Sequence, residues 1–158
     1  MKDCLKLYGY LLFAEILTLF LNLTLAFSAS PVIRLLTAFC TVGILAGLMA
    51  QAGHSIAKAN RRTESTPSPQ KPVILGLVSI LPFQLLWIVL ALAKYGIVDG
   101  NFYRFYKLLC APFLPVCNLI CDDVTAHSLP LWGLIVLALC TAIPFAAVVI
   151  AYQNTHEQ

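Results

Sequence analysis

Four apolar runs, each about as long as a bilayer crossing, take up most of this 158-residue chain. They lie at about 7–29, 32–53, 73–95 and 129–152. A helix needs ~20 mostly apolar residues to cross hydrocarbon, so little chain is left for a separate soluble domain. Apolar residues make up 60% of the sequence and charged residues 11%. The mean hydropathy of +0.87 lies outside the range of water-soluble domains. The runs are apolar around the whole helix, as suits a helix in lipid rather than one half-turned to water. The expected fold is all-α. It is a single membrane domain over 1–158, an integral membrane four-helix bundle with an extra amphipathic or re-entrant segment between helices three and four.

Orientation follows from where the charges sit. Lys2, Lys6, Lys58, Arg61, Arg62 and Lys71 fall at one end of the bundle, and Arg34, Lys94, Arg104 and Lys107 at the other. The positive-inside rule then puts both termini and the loop 54–71 in the cytoplasm, in a plasma (inner) membrane. Run one has the basic start of a signal peptide, but its apolar stretch exceeds the usual ~7–15 residues. An uncleaved span is expected. Gly53 is read as the stop of helix two. The stretch 54–71, with its Ser, Thr, Pro and Lys/Arg content, is read as a flexible loop. Its basic residues suit an anionic lipid surface, and nothing in it points to nucleic acid.

Within run two, Gly43 and Gly47 recur at i, i+4, as do Ala46 and Ala50. Small residues at this spacing let another helix backbone approach closely. The partner is a helix of this chain, a second copy or another membrane protein. Pro82 and Pro144 lie inside runs three and four and remove helical hydrogen bonds, so both helices should bend.

The segment 97–127 is expected outside, yet it is strongly apolar from Phe102 to Cys121. Its uncharged part, Leu108–Cys121, is short for a span, and Pro112 and Pro115 break it. On a helical wheel Arg104, Lys107, Ala111, Asn118 and Asp122 fall near one face, with leucines and aromatics on the other. Two short helices are expected, lying on the outer leaflet or capping the bundle. A fifth span is the alternative.

Glu15 is the one acid inside an expected span. An ionisable residue at bilayer depth is a functional candidate by default. It could bind a proton in a small proton- or ion-coupled transporter or channel, together with Asn22 and Gln84, or pair with a cation on a partner subunit. The plain alternative is a hydrogen bond to Gln84 or a threonine, or contact with water. Asn22, at i+7, shares its helix face with Glu15 and Thr18. The run Tyr10-Leu11-Leu12-Phe13-Ala14-Glu15-Ile16 resembles the local pattern around the helix-one glutamate of small multidrug-resistance transporters. The likeness covers about ten residues and implies transport at Glu15. Those chains are shorter, with tight loops and no outer apolar segment.

Of six cysteines, Cys110, Cys117 and Cys121 cluster in the outer segment. Their spacing lacks the close C-x-x-C pairs of a metal site or of a thiol-exchange enzyme. Packing as small apolar residues is the plain reading. In an oxidising compartment Cys110 with Cys117, across the proline bend, is the better disulfide pair. No metal, cofactor or catalytic group is implied. The expected function is a small non-enzymatic membrane protein, an accessory or oligomerising subunit of a membrane complex. Its partners are the lipid bilayer and either a second copy or another membrane protein. The alternatives are transport through Glu15 and membrane thiol redox chemistry at Cys110, Cys117 and Cys121.

Overall fold

The computed structural model describes residues 2–25, 30–63 and 70–157, and they are all-helical. The helices are α1 (Lys2–Leu25), α2 (Pro31–Thr63), α3 (Lys71–Lys94), α4 (Phe102–Leu109), α5 (Leu114–Ile120), α6 (Leu131–Cys140) and α7 (Ala142–Glu157). Single 3₁₀ turns at Ala111–Phe113 and Ala126–Ser128 join α4 to α5 and lead towards α6. Four stretches are long and apolar enough to cross a membrane: Lys2–Leu25, Val32–Arg61, Lys71–Lys94 and Leu131–Thr155.

Helix α2 is the central post, in broad contact with both α1 and α7, while α3 leans mainly on α7. At 33 residues it is about 50 Å long at ~1.5 Å per residue. It does not stop at Gly53. A Cβ there would lie 2.6 Å from the Val148 carbonyl oxygen, so this glycine is where α7 crosses against the α2 backbone. The expected loop at 54–71 is therefore helical as far as Thr63, and its part at 64–69 lies outside the described residues. Gly76 makes a second close approach, with Phe145 and Val149 filling the space of its missing side chain.

Pro82 leaves α3 continuous, whereas the last apolar stretch divides at Thr141, three residues before Pro144. Lys94 ends α3, and Gly96 follows with φ +77. Gly96 N–H donates to Ala93 and Ile97 N–H to Leu92, which satisfies the last carbonyls of α3.

Two clusters of contacts mark the ends of the bundle. At one, Asp3 meets Asn60 and Lys71, Asn60 meets the Tyr152 hydroxyl, and His54 meets Thr155. At the other, Arg34 pairs with Asp122, Lys94 donates to the Leu129 carbonyl, and His127 meets the Lys94 carbonyl. Both termini of the described chain belong to the first end.

The exterior is largely apolar, and the mostly apolar interior also holds several polar side chains. Leu12, Phe20, Phe39, Leu77, Ile135 and Leu139 are exposed, whereas Thr18, Asn22, Thr41, Ser79 and Thr141 are buried.

Candidate functional site: a helical hairpin held at mid-bundle

Helices α4 and α5 form a short hairpin whose two ends meet, because Ala126 N–H donates to the Gly100 carbonyl at 2.8 Å. The segment therefore enters and leaves at one end of the bundle. It does not lie across that end. Its tip reaches the middle of the long helices, where Phe113 meets Phe83 edge to face, with ring centroids 5.3 Å apart.

The tip breaks helical hydrogen bonding at Cys110, whose φ of −116 and ψ of 54 leave the helical region. Backbone groups freed inside a dry core need partners. Side chains from α1 and α2 supply them. Glu15 Oε2 accepts the Ala111 N–H at 3.0 Å. Asn22 Nδ2 donates to the Ala111 carbonyl at 2.7 Å, which also takes the Leu114 N–H. Thr41 Oγ1 donates to the Pro112 carbonyl at 2.8 Å. Pro112 and Pro115 have no N–H to satisfy.

Of the three sequence candidates for transport, two thus meet on a single residue of the tip and the third does not. Gln84 donates instead to Thr141 Oγ1 at 2.6 Å, near the break between α6 and α7. Thr18 does not reach the Glu15 carboxyl; its hydroxyl turns back to the Ala14 and Glu15 carbonyls. Glu15 has no Lys or Arg partner among the described residues. Thr41 was missed by sequence reasoning. A signal was there, since Thr37 and Thr41 are four apart within an apolar run.

Of the polar face expected on the outer segment, only Lys107 and Ala111 are buried, whereas Arg104 and Asp122 are exposed and Asn118 is half-buried. Tyr103, Tyr106, Lys107 and Cys110 are buried, while Phe105, Leu108 and Leu109 are exposed. Lys107 finds its partners within the hairpin. Lys107 Nζ donates to the Cys121 and Asp123 carbonyls, both at 2.9 Å, and lies 4.5 Å from the centre of the Tyr103 ring. Burial pulls its ammonium below the usual 10.5. Tyr103 donates to the Cys117 carbonyl at 3.1 Å. The Tyr106 hydroxyl is buried beside the Cys110 thiol.

Cys110 and Cys117 are free thiols, both buried. Burial pushes the Cys110 thiol up and the Cys117 thiol up to about 12, which opposes the thiolate that exchange chemistry needs. Cys121 is partly exposed and near the Ser128 hydroxyl. No cluster of three or more His, Cys, Asp or Glu able to hold a metal occurs among the described residues.

Gly43 and Gly47 face open space among the described residues. A Cβ at either would have no neighbouring atom within 4 Å, and both are exposed. Ala46 and Ala50 are half-buried. The glycines that do pack internally are Gly53, Gly76 and Gly133, where a Cβ would fall 2.5–2.6 Å from another atom.

No protein-family model, curated protein or solved structure matches this chain.

Proposed function

We propose that this chain is an integral membrane protein of four spans with a re-entrant hairpin, and that it acts as a non-enzymatic subunit assembling through the open face of α2. The apolar exterior supports the membrane placement. The basic residues at the end shared by the termini support a cytoplasmic position for that end. In this reading the hairpin enters from the opposite leaflet.

The observation that carries the assembly reading is the open space at Gly43 and Gly47. A glycine facing lipid offers no side chain to the acyl tails. A second helix can instead come within backbone contact there. Helix α2 packs against α1 and α7 through other faces, and this stripe is left open for a partner. Glu15 supports the same reading from another side, because one of its oxygens already serves the hairpin tip.

Exposed Cys40 lies one turn before Gly43 on the same stripe. Oxidation with a lipid-soluble copper complex in native membranes should therefore crosslink two copies through Cys40 when the partner is a second copy. Gly43→Leu should abolish that crosslink. When the partner is another protein, gentle extraction and native mass analysis should recover it in fixed stoichiometry, and Gly43→Leu should release it. A lone monomer in both measurements would overturn the assignment.

A further inference from the structure

A cavity of about 330 Å³ opens between α1, α3 and α4. Its wall includes Tyr8, Leu12 and Glu15 from α1, Phe83 and Leu86 from α3, and Leu109 from α4. Leu12 and Leu109 are themselves exposed on the apolar exterior, so the mouth faces sideways. In a bilayer it would face acyl chains rather than water. The Tyr8 hydroxyl is directed to the Val78 carbonyl, and the Glu15 carboxyl is the acidic group of the lining. Glu15 Oε2 is engaged by Ala111 N–H, while Oε1 accepts no hydrogen bond from the described residues.

We propose that this cavity binds a membrane-dissolved molecule with a long apolar body and an uncharged hydroxyl head, the hydroxyl meeting Glu15 Oε1. Access from the side restricts ligands to those that partition into hydrocarbon. The size fits the lower end of small-molecule sites, about 300–1,000 Å³, enough for a head group and the first part of a chain. A hydroxyl both donates and accepts, so it pairs with a carboxyl in either protonation state. It also brings no second charge into hydrocarbon, where charges are costly. A bare acyl chain would fill the same volume and leave Oε1 unpaired. The proposal rests on the membrane placement of the four long helices and not on assembly through α2.

The test uses the full chain in lipid nanodiscs and three photoreactive probes of matched length: a long-chain alcohol with a diazirine beside the hydroxyl, the corresponding alkane and the corresponding primary amine. Labelled residues are mapped by mass spectrometry. The alcohol should label the Tyr8–Glu15 and Phe83–Leu86 peptides roughly 3- to 10-fold more than the alkane, the gain one net hydrogen bond gives. Glu15→Leu should remove that preference. Leu86→Trp should remove it too, by filling the chamber from α3, at an unchanged thermal midpoint; this variant leaves the Ala111 contact in place. Equal labelling by alcohol and alkane, with both reaching Phe20 and Leu139 on the exterior, would mean ordinary lipid tails fill the cavity and would overturn the proposal. Preference for the amine would overturn it in favour of a charged ligand. Failure of the alkane to label Phe20 and Leu139 would instead refute the membrane placement itself.

Discussion

Glu15 and Asn22 stand two turns apart on α1 and hold the two ends of one residue, Glu15 taking the N–H of Ala111 and Asn22 its carbonyl. An acid and an amide that look like the start of a polar pathway thus form a clamp on a break in the chain 89 residues from Asn22.

The two ends of the clamp should differ in cost. Glu15→Leu leaves the Ala111 N–H bare and should destabilise the fold by about 1–3 kcal/mol, whereas Glu15→Gln keeps an acceptor oxygen and should cost under ~1 kcal/mol. Asn22→Leu removes one of two donors to the Ala111 carbonyl and should cost only about 0.5–1.5 kcal/mol. Because both side chains act on one residue, the double variant should depart from additivity. Reversible unfolding in mixed micelles gives all four values.

Lys107 should make stability depend on alkaline pH. Burial holds its ammonium below the usual 10.5, so between the two values the unfolded chain binds more protons than the folded one. Stability should therefore rise as pH climbs through that window towards 10.5, and level off above it. Lys107→Met should flatten this part of the profile. A slope unchanged in the variant would show that another group supplies it.

Thiol reactivity should sort by position. Cys110 and Cys117 are buried and their thiols are pushed up, so a water-soluble maleimide near neutral pH should modify them slower than Cys121 by roughly tenfold or more. Denaturation in detergent should erase the difference. If the reagent reaches Cys121 only from the side opposite the termini, the proposed orientation gains direct support; labelling from the same side as the termini would count against it.

Glycine substitutions should separate folding from assembly. Gly53→Ala drives a methyl group against the Val148 carbonyl and should cost about 1–3 kcal/mol of stability. Gly43→Ala meets open space and should be neutral or stabilising by up to ~1 kcal/mol through helix propensity. Thermal midpoints of the two variants decide this.

The four long helices were legible in the sequence because hydropathy alone sets their length. Their ends were less so. Gly53 reads as a stop, and only the course of α7 shows that its missing side chain makes room for a neighbour. The hairpin's composition was visible, as were the prolines that break it, but its depth was not. A wheel of Arg104, Lys107 and Asp122 against leucines suits a surface segment. The structure turns Lys107 inward, because carbonyls freed at Cys121 and beyond lie within its reach. Such pairings join residues far apart in the chain, and no local pattern announces them. Gln84 shows the same gap, since its partner proved to be Thr141 and not Glu15.

The hairpin tip asks for few partners because Pro112 and Pro115 bring no N–H into the core. Replacing either would add a donor that the contacts of Glu15 Oε2, Asn22 and Thr41 do not serve. The prolines and the trio Glu15, Asn22 and Thr41 therefore form one unit of inheritance. In any relative of this chain they should be kept together or lost together, whatever becomes of the lipid-facing residues around them.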